Sequence, residues 1–243
     1  MKINNISIVI PILNEEKNLI RLIKEIEDVK NQMNLNNFEI ILVDDNSTDN
    51  THEILNNIKS KKKFIRYFIR KKKRRDLTQS LFIGFNRCLY ENIVVMDGDL
   101  QHPPRYIKKL LHAFFKNKAD VVIGSRNLFK KRGPGLNFFR YISSLFIIYI
   151  INFLLDNKTT DPLSGFFIFK KRIYKKNKKK LFGQGYKILA DIIYSCPEKL
   201  KILDCDIFFD SRKSGKSKMN LLVLLQLIIF IIKSFLLKWK MRI

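Results

Sequence analysis

Cysteine is scarce. The 243-residue chain has three, Cys88, Cys196 and Cys205. An odd number, with no Cys-x-x-Cys and no histidine at metal-ligand spacing, argues against a disulfide framework or a zinc site and agrees with a reducing compartment. Acidic residues are also few: 22 Asp and Glu face 47 Lys and Arg, a net charge of +25. The imbalance predicts attraction to polyanions, whether nucleic acid, anionic membrane or phosphorylated substrates, without choosing among them. A compositional bias toward Lys, Ile, Asn and Phe along the whole chain accounts for most of it equally well. No internal repeat is present. Met1–Asn5 lacks a long apolar stretch after a basic start, and the Ile6–Leu13 run contains Pro11 and gives way to Asn14, Glu15 and Glu16, so no secretory signal is expected. Against these absences, 46% of residues are hydrophobic. That is material for the buried core of one domain with a short appendage.

The apolar runs alternate between two periods. Ile6–Pro11, Phe38–Val43, Phe64–Ile69, Asn92–Met96 and Asp120–Ile123 are short, branched and strand-like. Between them, Leu19, Leu22, Ile23 and Ile26 recur at helical spacing, with Asn14 as the expected cap and Glu15 and Glu16 in the first turn. Thr51–Ile58 and Leu77–Tyr90 read as further helices, and Pro103 and Pro104 open another that runs to Phe115. Strand–helix alternation of this kind predicts an α/β fold, a mostly parallel sheet flanked by helices. Ligands then sit beyond the carboxyl ends of the strands. Asn14-Glu15, Asp44-Asp45 and Asp97-Gly98-Asp99 each follow a strand and are expected to converge on one crevice.

Asp97 and Asp99 flank a glycine at a strand end. Two such carboxylates can share a hard divalent cation with a diphosphate, since Mg²⁺ is usually held by one or two carboxylates plus phosphate oxygens. Gly98 would let the backbone approach the ligand closely. An isolated Asp-x-Asp is a weak signal and more often a plain acidic turn, but a second acidic pair at another strand end strengthens the case, because buried like charges are costly without a cation or donors. Asp49 reads as a cap of the helix beginning at Thr51. His52 and His112 read as ordinary helix residues.

These motifs, with others in order along the chain, resemble the GT-A glycosyltransferases of the family 2 type, and within them the polyprenyl-phosphate mannosyltransferases. The matching stretches are Ile8-Val-Ile-Pro-Ile-Leu-Asn-Glu-Glu, Val43-Asp-Asp-Asn-Ser-Thr-Asp-Asn-Thr and Met96-Asp-Gly-Asp-Leu-Gln-His-Pro-Pro. They continue through Gly124-Ser-Arg, Arg140 with Ser144, Asp161-Pro-Leu-Ser-Gly-Phe, Gly185-Tyr-Lys, and Phe209 through Arg212, Gly215 and Ser217-Lys218. The resemblance implies a Rossmann-like GT-A domain over residues 1–218. It implies that Pro11, Leu13, Glu15, Val43 and Asp45 line a nucleoside pocket, and that Asp97, Asp99 and Gln101 hold Mg²⁺ or Mn²⁺ on the donor diphosphate. Arg126, Arg212 and Lys218 would contact phosphate charge, and Arg140 and Ser144 the acceptor phosphate. Asp161 and Asp191 match acidic positions without an assigned role. The implied reaction is inverting transfer of a sugar, mannose from GDP-mannose first and a UDP-sugar such as UDP-glucose as the alternative, to a polyprenyl or dolichyl phosphate. The chain departs from the pattern in three places. The loop Lys72–Gln79 lacks the glycines often found there, Leu13 replaces a frequent aromatic, and Gly98 replaces a frequent alanine. His102 reads as a supporting residue, since Mg²⁺ prefers oxygen ligands.

A polyprenol acceptor requires a membrane-associated enzyme, with its active site expected on the cytoplasmic side. Tyr141–Leu155 is an apolar helix candidate that fits the bilayer interface or a core position. Residues 219–243 form a hydrophobic C-terminal helix candidate in which Leu221–Leu237 is interrupted only by Gln226, Lys233 and Ser234, followed by Trp239 among lysines. It is expected to lie in the interface, or to pack on a small membrane-protein partner, rather than to span. Two other classes compete. A basic nucleic-acid-binding protein is disfavoured because aromatics do not interleave with the basic runs and no recognition motif appears. A catalytically dead scaffold is disfavoured by the intact Asp97, Asp99, Arg126 and Arg212.

Overall fold

The computed structural model describes residues 3–72, 74–126, 148–153, 158–185, 187–208, 210, 229 and 232. Its centre is a seven-stranded sheet: β1 (Ile6–Ile12), β2 (Phe38–Asp44), β3 (Ile65–Ile69), β4 (Asn92–Val95), β5 (Val121–Ser125), β6 (Phe167–Lys170) and β7 (Ile202–Asp206), in the order β3-β2-β1-β4-β6-β5-β7. All neighbours are parallel except where β6 pairs antiparallel with β4 and β5. Every residue of β1 and β2 is buried, as expected for strands covered on both faces.

The pleat divides the core. Ile6, Ile8, Ile10 and Ile12 point to one face, against α1 (Leu19–Gln32), α2 (Thr51–Lys61) and α4 (Ile107–Lys116). Val9, Ile41, Val43, Ile93 and Val95 point to the other, against α3 (Leu77–Arg87), α5 (Lys171–Asn177) and α6 (Ile188–Tyr194). The β1–β4 pairing ends at Val9 and Val95, before Pro11. The proline therefore lies where β1 has one strand neighbour, a place in a sheet that tolerates a missing donor.

Two expectations are corrected. Asn14 does not cap α1. It turns left-handed (φ 56°), a conformation asparagine tolerates, and α1 begins later, at Leu19. The helix expected over Leu77–Tyr90 stops at Arg87, because Cys88 is extended (ψ 132°) and the Leu89 N–H turns to Glu39. The basic run at Lys170–Lys180 contains α5, whose Ile173 and Tyr174 are core residues. The sequence pattern does not predict α6 or β7. Most of the 141–155 segment and nearly all of 219–243 lie outside the described residues. Among those described, no helix is long and apolar enough to cross a membrane.

Away from the strand carboxyl ends, Glu39 on β2 ties four segments together. It accepts from Ser7 Oγ at 2.6 Å, Leu89 N at 2.6 Å, and Arg66 Nε and Nη2 at 3.1 and 2.5 Å, with its side chain buried. Removing one partner of such a cluster leaves the others desolvated and unpaired. Glu39→Ala is expected to lower stability by about 2–4 kcal/mol in urea denaturation, while ligand binding at the opposite edge of the sheet persists below the melting transition.

Candidate active site

Six strands bring their carboxyl ends, and β6 its amino end, to one edge of the sheet. Strand order reverses between β1 and β4, where open sheets of this kind form their ligand crevice. The turns leaving β1, β2 and β4 each pass through a left-handed residue: Asn14, Asn46 (φ 66°) and Leu100 (φ 60°). Asparagine adopts this region readily. Leucine does not, so Leu100, anchored by its buried side chain, stores strain in the Asp97–Gln101 turn. The β1 and β2 turns are laced together. Asn14 N donates to Ser47 Oγ (2.8 Å), Thr48 N to Asn14 Oδ1 (2.8 Å), and Glu15 N to Thr51 Oγ1 (3.0 Å). Asp49 is not the expected cap, a position Asn50 takes; from one residue outside the helix it receives the Thr51 N–H at 3.1 Å, and it also receives Glu16 N at 3.2 Å. Burial pushes its pKa up, but these bonds outweigh that and hold it below the ordinary value.

The acidic pair on β2 divides into two roles. Asp44 is fully buried, and its carboxylate accepts from Ser47 N at 3.0 Å and from Ser47 Oγ, with His52 Nε2 2.5 Å away. His52 is thus a tether between α2 and β2, not an ordinary helix residue. Asp45 accepts from Arg70 Nε at 2.5 Å and from Asp76 N at 2.7 Å. Pro11 and Val43 are buried beneath the crevice, whereas Leu13 and Glu15 are partly exposed.

At the β4 end, Asp99 is buried and accepts from Gln101 N at 3.1 Å, while the Asp97 side chain remains 38% exposed. Two glycines allow the surrounding chain to close on this pair. A Cβ on Gly98 would lie 2.9 Å from Ile12 Cγ2 and 3.5 Å from Glu15 Cγ, which puts the β1 turn directly against the β4 turn. A Cβ on Gly165, just before β6, would lie 2.7 Å from Asp97 Oδ2. Among the described residues no group of three or more His, Cys, Asp and Glu forms a closed metal-binding set. Two carboxylates in a glycine-lined cradle are nevertheless the donor set that Mg²⁺ or Mn²⁺ uses when phosphate oxygens complete its shell.

His102 supports this turn. Its Nδ1 accepts the Asp97 N–H at 3.2 Å, and its ring stacks on Phe166 with centroids 5.4 Å apart. Burial pushes its pKa down to about 4; Arg126 adds to the fall, and Asp99 and Asp161 oppose it. A neutral imidazole fits an accepting Nδ1, so its 3.6 Å approach to Asp97 Oδ2 is not an ion pair.

Across β6, Arg126 leaves the end of β5 and forms a fork with buried Asp161, Nε to Oδ2 at 2.9 Å and Nη2 to Oδ1 at 3.0 Å. Burial disfavours its charge, but Asp161 and Asp97 outweigh this and raise its pKa further. Asp161 is itself held in place from β7. Asp204 accepts from Thr159 Oγ1 at 2.6 Å and from Thr160 N and Oγ1 at 2.7 Å each. Arg70, Asp76, Asp204 and the two threonines were missed in the sequence, which offers no local pattern for them. Asp191 lies deep in α6, accepting from Phe182 N and Gly183 N at 2.8 Å and Ser195 Oγ at 3.0 Å. Burial raises its pKa despite those bonds. Arg140, Ser144, Arg212 and Lys218 lie outside the described residues.

Comparison with known proteins follows the same lines. The family model described as glycosyl transferase family 2 matches residues 7–178. A dolichol-phosphate mannosyltransferase of Pyrococcus furiosus is 33% identical over 217 residues, covering 88% of this chain but 59% of that relative. A protein of the same name from Mycosarcoma maydis is 29% identical over 224 residues, 88% of this chain and 73% of its own. Among solved structures, glucosyl-3-phosphoglycerate synthase from Mycobacterium tuberculosis, in complex with Mn²⁺, UDP-glucose and phosphoglyceric acid, superposes with a TM-score of 0.67. It has 18% identity and covers 96% of this chain and 78% of the other, a likeness of fold.

Gly165→Ala tests the cradle. The added methyl group is expected to displace the Asp97 carboxylate and weaken Mn²⁺ binding, read by electron paramagnetic resonance, at least about tenfold. Unchanged affinity would remove Asp97 from the ligand set.

Proposed function

Since the chain belongs to glycosyl transferase family 2, we propose that it transfers a monosaccharide from a nucleoside diphosphate to a polyprenyl-type phosphate, with mannose from GDP-mannose as the leading donor. The observation that supports this reading is that one edge of the sheet carries the Asp97/Asp99 pair just after β4 and the Asp161-oriented guanidinium of Arg126 just after β5, groups whose chemistry suits a cation and a phosphate. The names of the two relatives described above support the acceptor class.

The reaction forms a bond from an acceptor phosphate oxygen to the anomeric carbon and breaks the bond from that carbon to the leaving nucleoside diphosphate, with inversion. A phosphate nucleophile is already an anion, so no strong base is needed. Asp191 suits that economy, because its carboxylate is engaged with backbone donors. The difficulty is bringing anions together. Mg²⁺ or Mn²⁺ bound by Asp97 and Asp99, with Gln101 adjacent, would neutralise charge on the leaving diphosphate. Arg126 offers a planar fork suited to phosphate oxygens, and Asp161 fixes its plane beforehand, so that little reorganisation remains for the reaction itself. By the family pattern, Arg212 and Lys218 serve the same phosphates, Arg140 and Ser144 the acceptor, and Leu13, Glu15 and Asp45 the nucleoside.

Membrane contact belongs to this proposal. Tyr149 and Phe153, one helical turn apart within 148–153, stack with ring centroids 6.2 Å apart while 64% and 75% exposed. Ile229 and Ile232 are helical and exposed as well. Exposed aromatic and aliphatic side chains of this kind suit helices lying in a bilayer interface. Residues 1–218 would then be the catalytic domain and 219–243 the membrane-associating appendage, with the crevice open to the cytoplasmic side.

The test is a panel of radiolabelled GDP-mannose, UDP-glucose and other nucleotide sugars with a polyprenyl phosphate and Mn²⁺, scored for lipid-extractable label. Label from GDP-mannose is expected. Label from a UDP-sugar alone would replace the donor, and no transfer from any donor would overturn the reading. Asp99→Asn is expected to lose at least about a hundredfold in rate with its fold intact by circular dichroism.

A further inference from the structure

The loop between β3 and α3 lacks the glycines often found there, and at its end stands Asp76, which joins three segments. Its backbone N–H donates to Asp45 Oδ2 at 2.7 Å. Its carboxylate caps α3 by accepting Gln79 N at 3.1 Å, and both oxygens accept Gly185 N at 3.2 Å. Residues 182–185 are thereby strapped to the first turn of α3. Thr78 N and Oγ1 donate to Gly185 O at 3.1 and 2.7 Å, and Gln79 Nε2 donates to Gly183 O at 2.5 Å. Gly183 and Gly185 both have positive φ, 72° and 82°, so the strap takes its shape from conformations that suit glycine. Its other end is held by Asp191. On the crevice side, Arg70 bonds Asp45 Oδ1 and reaches Arg74 O at 2.5 Å, closing the loop on itself.

We infer that Asp76 is a positioning residue for the donor site: it holds the Asp45–Arg70 wall, the start of α3 and the 182–185 strap in a single register. The inference rests on the proposed function, which makes Asp45 part of the nucleoside pocket. A helix cap needs one acceptor oxygen and one backbone donor. Asp76 instead shares Gly185 N between both oxygens and sends its own N–H to Asp45, so it reaches two walls besides the helix it caps. Rigid second layers of this type act on binding through the residues they hold, without touching the ligand.

Asp76→Ser retains a capping oxygen for Gln79 N but cannot serve Gly185 in the same way. Asp76→Asn keeps the shape and places an amide donor against Gly185 N–H. Binding of GDP and of UDP, each with Mn²⁺, would be measured by calorimetry alongside kcat, donor KM and thermal melting. Both variants are expected to weaken nucleotide binding and raise donor KM by about tenfold while kcat at saturating donor stays within about twofold. A fall in melting temperature with nucleotide affinity unchanged would make Asp76 a helix cap only and overturn the inference. Wild-type protein that binds neither nucleotide would instead overturn the proposed function beneath it. If Asp76→Asn does not fold, Asp76→Ser, which preserves the cap, carries the same two outcomes.

Discussion

Carboxylates gathered at one end of a buried sheet must each be met by donors, and the crevice is organised around that constraint. Asp44, Asp45, Asp99 and Asp161 are all buried near strand ends. Each takes a different solution: a serine on the following turn, an arginine from β3, the N–H of Gln101, and the fork of Arg126. Asp97 alone among these five keeps a partly exposed side chain. The structural acids thus hold the walls, and the acid that faces outward is the one a cation can reach. In a low-dielectric setting an unmatched charge at any of the four buried positions would cost several kcal/mol, so the satisfied acids are as necessary to the site as the exposed one.

Much of this was legible from the chain. Short branched runs alternating with helical spacing point to the sheet and its crevice, because burial on both faces leaves a strong mark on β1 and β2. Asp97, Gly98 and Asp99 stood out only through their context, a second acidic pair at another strand end and a run of ordered motifs, since an Asp-x-Asp alone is a common acidic turn. What escaped was partnership across distance. Asp204 on β7 sits in a plain alternating stretch, and nothing local tells that it holds Thr159 and Thr160 and through them Asp161. Asp76 stands in the sequence as one acid in a basic loop. Asn14 reads as a helix cap, because the left-handed turn that lets it reach Thr48 depends on the neighbouring β2 turn. α6 and β7 were missed for a related reason: they are fixed by packing against α5 and by pairing with β5 more than by a clean period.

The excess of positive charge also takes a more definite form. Arg66 and Arg70 neutralise buried acids, Lys170 and Arg172 meet Asp120, and Arg126 meets Asp161. Arg66 and Arg70 thus serve the structure rather than signal a polyanion, while Arg172 stays exposed. Lys71, Lys72, Arg74 and Arg75 remain exposed at the rim beside Asp45, with Lys175, Lys176 and Lys178–Lys180 around the end of α5.

The reversed strand β6 sets the spacing of the site. It lies between β4 and β5, so the turn bearing Asp97 and the end bearing Arg126 are separated by two strand spacings, about 10 Å across the sheet. Running against its neighbours, β6 begins at the crevice, and its approach brings Gly165 and Phe166 into the floor between acid and cation. The strand is in effect a spacer bar. It sets the separation of the two strand ends, and that separation is held by the ladder of the sheet itself.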